Sequence, residues 1–177
     1  QSFGEFGMEL AESYRERSLK LVLAYVCALS TGFSGAHLVQ IPIIKGLPAP
    51  HPLAISADGK TVVGQFAPGN PFTWRGGEIA RFRPSSNPDV LDQYAQSVSS
   101  DGKVIVGRAG GAYVWTRNKS LKMLGDSSTF AYGVSESGNE VVCQVEGKPN
   151  RRGFLWSKTE TINFDSFSPT CIARNGK

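Results

Sequence analysis

Ser97-Val98-Ser99-Ser100-Asp101-Gly102-Lys103-Val104-Ile105-Val106-Gly107, with Tyr113-Val114-Trp115 six residues further on, is the stretch that decides the fold. Asp-Gly between apolar pairs is a hairpin turn, because glycine tolerates positive φ and the aspartate bonds the nearby backbone. The strand after the turn is apolar at consecutive positions (Val104-Ile105-Val106), so both of its faces are expected to be covered. Tyr113 and Trp115 lie two apart, hence on one face of the next strand.

The stretch recurs. Ala54-Ile55-Ser56-Ala57-Asp58-Gly59-Lys60-Thr61-Val62-Val63-Gly64 precedes it, and Gly133-Val134-Ser135-Glu136-Ser137-Gly138-Asn139-Glu140-Val141-Val142-Cys143 follows. A fourth copy begins at Cys171-Ile172-Ala173-Arg174-Asn175-Gly176-Lys177. The turn glycines at 59, 102, 138 and 176 are 43, 36 and 38 residues apart. Two further blocks keep step. One is Phe72-Thr73-Trp74, Tyr113-Val114-Trp115 and Phe154-Leu155-Trp156; the other is Ile79–Phe82, Leu121–Leu124 and Thr161–Phe164. The last of these is mixed in polarity, as suits an outermost strand.

A period near 40 residues holding about four short strands, one covered on both faces, predicts an all-β chain of β-propeller blades, each a four-stranded antiparallel sheet. A β-solenoid with four-stranded rungs is the alternative. The expected blades are 51–84, 94–125 and 130–165, with the start of a fourth at 169–177. Leu38–Ile41 offers an outer strand before the first blade. Four blades are the usual minimum for closure, so three and a beginning are not expected to close alone. Missing blades or self-association would have to cover the open faces. The chain starts at Gln1 and stops inside a repeat, so it is expected to be part of a longer protein.

Composition agrees. In 177 residues there are 20 glycines and 10 prolines, above the average usage of about 7% and 5%, and charged residues reach only 19%. That mix disfavours a helical bundle. Leu21–Leu29 (LVLAYVCAL) is uncharged but far shorter than the roughly 20 residues a membrane helix needs. Followed by Ser34-Gly35-Ala36, it fits a secretory signal cleaved after Ala36. The stretch from Met8 to Lys20 carries three bases and three acids, whereas a leader is normally basic. Residues 1–36 are therefore read as a signal peptide preceded by upstream translated sequence, and residues 37–177 as the mature repeat region. A buried apolar helix heading a cytoplasmic domain is the other reading. Secretion implies an extracellular, cell-surface or periplasmic location, with membrane contact only during export.

Beyond residue 36 there are 16 basic and 11 acidic residues, interspersed. The densest basic clusters are Arg81/Arg83 and Lys148 with Arg151-Arg152. A scattered excess of this size is solvated surface, so nucleic acid is not an expected partner. Cys143 and Cys171 fall in successive repeats and could pair after export; no Cys-x-x-Cys supports a zinc or redox site.

The pattern Ala-x-x-Val-Ser-x-Asp-Gly-x-Val-Val-Gly followed by aromatic-x-Trp resembles the bacterial extracellular repeat of the HAF family, from about Leu53 to Lys177. It is strongest at Ala95–Trp115 and Ala131–Trp156. Departures are Pro52 where the later copies have alanine, Ser137 and Asn175 for aspartate, and Cys143 for the closing glycine. The resemblance implies an exported, propeller-like protein and carries no catalytic set. The sialidase Asp-box is absent, since Asp58-Gly59 and Asp101-Gly102 are adjacent and the tryptophans follow 15 and 13 residues after the glycine. TolB-type repeats share Ser-x-Asp-Gly-Lys but lack the Val-Val-Gly closure and the aromatic-x-Trp at this distance.

No catalytic, cofactor-binding or metal-binding set is expected. His37 and His51 are lone histidines among prolines, and no Gly-x-Ser-x-Gly elbow supports a triad. Asp89, Asp92, Asp126, Glu146 and Asp165 sit in connecting segments, where a glycosidase pair would have to come from, but nothing selects two of them. Asp58 and Asp101 supply one carboxylate per turn, too few for calcium, and read as turn formers. Trp74, Trp115 and Trp156 keep a regular phase and read as packing residues before sugar platforms. Gly76-Gly77 and Gly110-Gly111 read as turns, and Asn118-Lys119-Ser120 matches a sequon without weight in bacteria. The expected function is a non-catalytic protein- or glycan-binding module; the alternative is a fragment of a secreted propeller enzyme, such as a glycan hydrolase or lyase, with its acid and base elsewhere.

Overall fold

The structure is a computed structural model. It describes residues 41–67, 69–85, 90–117, 120–148 and 152–173. The leader, Leu38–Gln40, His37, Asp89, Asn118-Lys119, Arg151 and Arg174–Lys177 lie outside the described residues.

Among the described residues, twelve strands form three sheets. The first holds β1 (His51–Ile55), β2 (Thr61–Gln65), β3 (Pro71–Arg75) and β4 (Glu78–Arg81). The second holds β5 (Gln93–Val98), β6 (Val104–Ala109), β7 (Ala112–Thr116) and β8 (Leu121–Met123). The third holds β9 (Thr129–Val134), β10 (Glu140–Val145), β11 (Gly153–Ser157) and β12 (Thr161–Phe164). In each sheet the strands pair in chain order, and every pairing is antiparallel. These are the four-stranded antiparallel sheets of propeller blades. A solenoid would instead pair strands of successive rungs, and no such ladder joins the three sheets.

The sheets stack face to face. The first seam is built from Val63 of one sheet and Ala95, Val98 and Ile105 of the next, with Ala54, Phe82 and Trp115 at its margin. The second repeats it position for position: Val106 takes the place of Val63, and Ala131, Val134 and Val141 take those of Ala95, Val98 and Ile105. Leu124 and Trp156 repeat Phe82 and Trp115. The consecutive apolar residues after each turn are thereby explained. Ile105 faces the seam behind it, Val106 the seam ahead, and both are fully buried. The third sheet shows the fourth copy begun, because Ile172, at the position of Val98 and Val134, lies against Gly133, where an added Cβ would be 3.3 Å from Ile172 Cγ2.

Across each seam the first strands, β1 with β5 and β5 with β9, contact one another, while the fourth strands make no comparable contact. The sheets therefore splay outward, with β1, β5 and β9 at the inner edge and β4, β8 and β12 at the outer. The outer strands are accordingly the exposed ones.

Each inner strand carries the same bulge, at Leu53, Gln96 and Tyr132. Opposite it, a Cβ on Gly64 or Gly107 would lie 2.1 or 2.0 Å from the carbonyl oxygen of His51 or Tyr94. The closing glycine of the motif thus answers to a close backbone approach. In the third sheet Cys143 stands there, and its side chain joins the second seam. Cys171 is exposed, and no bridge joins the two cysteines.

Candidate binding face at the inner edge of the sheets

The turns come first, because they account for the most regular polar residues. In the first two copies the motif serine is almost wholly buried and closes the hairpin. Ser56 Oγ accepts from the Thr61 N–H at 3.0 Å, and Ser99 Oγ from the Val104 N–H at 2.9 Å. Each serine donates to its aspartate, Asp58 at 2.5 Å and Asp101 at 2.9 Å, and each aspartate also accepts the N–H of the following lysine at 3.0 Å. The Lys103 side chain, 2.8 Å from the Asp101 carboxylate, holds it down to about 2, helped by the Lys103 N–H and Ser99. Burial works to raise Asp58, but the bonds from Ser56 and Lys60 outweigh it and leave that carboxyl below its usual range. The third copy lacks the aspartate. There Ser135 Oγ donates instead to Glu140 Oε2 at 2.5 Å, a carboxylate borrowed from the far side of the turn. These aspartates are turn formers, as the sequence implied.

The described carboxylates of the connecting segments lie at the opposite end of the sheets, and two of them, Asp92 and Asp126, are paired with cations. Asp92 Oδ2 sits 2.9 Å from Arg108 Nε. Because that nitrogen has no hydrogen-bond partner of proper geometry, the contact is an ion pair off the N–H axis. Asp126 pairs with Lys148 Nζ at 2.7 Å and accepts from Ser128; the lysine first, then the serine, holds its carboxyl well below the ordinary range. The Glu146 N–H bonds the Ser128 carbonyl at 2.9 Å. Asp165 is exposed beyond β12, and His51 is exposed on β1. The structure brings Asp92, Asp126 and Glu146 to one end of the blades without composing an acid–base pair from them.

The tryptophans pack. Trp74 is 7% exposed. Trp115 stacks on Phe82 of the preceding blade at 5.0 Å, and Lys122 Nζ lies 4.7 Å above the Trp156 ring. Trp115 and Trp156 therefore tie their sheets to the one before.

A different cluster, not singled out by the sequence reading, lies on the inner edge. Arg108, at the end of β6, places its guanidinium 3.8 Å over the Phe130 ring of the next blade and donates to the Ser127 carbonyl at 2.9 Å. Phe130 and Tyr132 are 6.4 Å apart along β9. Tyr94, at the position of Phe130 one blade earlier, has its hydroxyl pushed up to about 12 by burial, then by the charge of Asp92 and by Tyr132. Tyr113 Oη donates to the Tyr94 carbonyl at 3.1 Å. Together with the bulge residue Gln96, Tyr94, Phe130 and Tyr132 give the inner edge half-buried side chains, and the bulge residue Leu53 is exposed on the first blade. Aromatic residues with a nearby arginine are the composition enriched where proteins bind ligands. The signal available in the sequence was the phase of His51, Tyr94 and Phe130, three residues ahead of Ala54, Ser97 and Gly133. It is weak because inner-edge position is a tertiary property.

No protein-family model matches the chain, and no curated protein matches it. Among solved structures, the Kuenenia stuttgartiensis hydrazine synthase is similar to it at 15% identity, with a TM-score of 0.49 over 82% of this chain and 44% of that one. The chain thus spans less than half the length of that protein.

Proposed function

We propose that this chain is a non-catalytic binding module, exported to the bacterial cell surface or beyond, which engages a protein or glycan ligand along the inner edge of its blades. The carrying observation is the row of Tyr94, Phe130 and Tyr132 with the bulge residue Gln96, and the Arg108 guanidinium over Phe130. Such an edge offers aromatic faces for sugar rings or apolar side chains, with polar atoms between them. Asp92 and Asp126 are already paired with cations, which favours binding over hydrolysis. Export is supported by the apolar run Leu21–Leu29 with Ser34-Gly35-Ala36 behind it and by the resemblance to extracellular repeats.

The test is a screen of the purified chain on glycan and peptide arrays, followed by calorimetric titration of each hit against Gln96→Ala, Tyr132→Ala and the outer-edge control Met123→Ala. Inner-edge variants are expected to weaken binding about tenfold or more, corresponding to about 1.4 kcal/mol, with the control unchanged. Equal affinity in all three variants would refute the assignment of the face. Expression with a carboxy-terminal tag and sequencing of the exported product should give His37 as the first residue; retention of the tagged protein in the cytoplasm removes the extracellular half of the proposal.

A further inference from the structure

The two seams share their apolar positions but differ at the end of the sheets that carries the hairpin turns of the motif. In the second seam Lys122 of β8 reaches across to the next blade, with its Nζ 4.7 Å above the Trp156 ring. In the first seam the same strand position holds Ala80, since Ala80 pairs with Thr73 as Lys122 pairs with Val114. The short side chain leaves the margin of Trp115 open, and a cleft of about 470 Å³ lies there between the first and second sheets. A cation is added as well. Arg75, opposite Thr61, stands where the second sheet has Thr116, opposite Val104 and bonded to Ser120 within its own turn. Arg117 lines the cleft from the next blade, and Glu78 lines it from β4. Among the described residues none of Arg75, Glu78 and Arg117 makes an ion pair. Thr61, 3% exposed, also lines the cleft, and its Oγ1 has no hydrogen-bond partner among the described residues. Buried hydroxyls are almost always bonded.

We propose that this cleft is a second ligand site, separate from the inner edge, and that it takes an acidic saccharide through a uronic acid residue. Its volume falls among small-ligand pockets, about 300–1,000 Å³, and its lining combines an aromatic side chain with a few convergent polar groups. Each group matches a part of such a sugar. The guanidiniums of Arg75 and Arg117, one from each wall, take the carboxylate through charge-assisted hydrogen bonds. Trp115, stacked on Phe82 at 5.0 Å, offers a fixed apolar surface to the C–H groups of the ring. Thr61 Oγ1 can donate or accept, and the Glu78 carboxylate accepts, so both suit hydroxyls. Glu78 decides the class of ligand. A carboxylate beside the arginines repels a phosphate dianion or a run of acidic side chains, whereas a ring with one charge and several hydroxyls answers both signs. The Gly76-Gly77 turn beside Glu78 leaves the approach clear, because a Cβ added at either glycine meets nothing within 4 Å.

The test titrates the purified chain, by calorimetry, with a galacturonate trisaccharide and with the neutral galactose trisaccharide. The acidic sugar is expected to bind at least tenfold more tightly than the neutral one. Arg117→Gln removes a guanidinium from an exposed position. Ala80→Met brings a long uncharged side chain to the place that Lys122 fills in the second seam. Each is expected to weaken the acidic sugar tenfold or more, with the outer-edge variant Met123→Ala unchanged. The two changes are independent, so either variant that folds decides the result. Neither inorganic sulfate nor a hexaglutamate peptide should displace the sugar at equal concentration; displacement by either would reveal a general anion site and overturn the saccharide assignment. Absence of binding by the acidic sugar, or equal affinity for the acidic and neutral sugars, overturns the proposal outright. Loss of binding in Tyr132→Ala with none in Arg117→Gln would place the acidic sugar on the inner edge, refuting this site while supporting that one.

Discussion

Replacing Gly138 by alanine separates two demands that a turn glycine meets in this architecture. Gly138 has φ of +74°, and an L side chain in that region costs about 1–2 kcal/mol. An alanine Cβ would also fall 2.5 Å from Val104 Cγ2 and 3.0 Å from Val104 Cβ, at the margin of the second seam. Overpacking of that kind costs about 1–3 kcal/mol. Gly147 supplies the control, since it has φ of +70° and nothing within 4 Å of the added Cβ. Gly147→Ala is therefore expected to destabilise by about 1–2 kcal/mol and Gly138→Ala by about 2–5 kcal/mol. Val104→Ala in the Gly138→Ala background removes the obstructing methyl, so the pair should fall short of the sum of its singles by about 1 kcal/mol or more. Urea unfolding followed by tryptophan fluorescence reads this as a midpoint shift at unchanged slope. Equal losses at Gly138 and Gly147, or strict additivity with Val104→Ala, would show that the turn glycines answer only to backbone conformation.

Two further outcomes follow from the turns. Glu140→Ala removes the carboxylate that stands in for the absent aspartate and should cost about 1–2 kcal/mol in thermal or urea unfolding. In a Ser137→Asp background, which restores the aspartate of the other copies, the same change should cost less than half as much; an undiminished cost would mean that Glu140 acts otherwise. For Asp101, the folded carboxyl at about 2 lies below its ordinary 3.8, so its contribution is complete above pH 4 and lost as pH falls toward 2. The group is half exposed, which limits the loss to about 1 kcal/mol after screening. Urea midpoints measured from pH 6 to pH 2 should fall more steeply in the wild type than in Asp101→Asn, and parallel curves would refute the assignment.

Strand order within each sheet and the stacking faces were both legible in the chain. The reason is that each rests on local chemistry repeated in phase. Ser99, Asp101 and Gly102 make their bonds within six residues; Ile105 and Val106 declare two covered faces by adjacency; Tyr113 and Trp115 declare one face by alternation. A period near 40 residues then leaves the blade as the unit that can bury all of them.

What the sequence could not decide depends on which residues of different blades meet. The inner position of β1, β5 and β9 appears only when the sheets splay, and with it the meaning of Tyr94, Phe130 and Tyr132. Arg108 is an ordinary basic residue until Asp92, 16 positions before it, and Phe130, 22 positions after it, close around it. Asp126 looks available until Lys148 folds back on it. The glycine of each turn needed positive φ on sequence grounds alone, but its second reason, the absence of room beside Thr61 or Val104, belongs to the neighbouring blade. Local bonding wrote the blade into the sequence; the seams and the inner edge depend on how blades meet, and only the tertiary structure could place them.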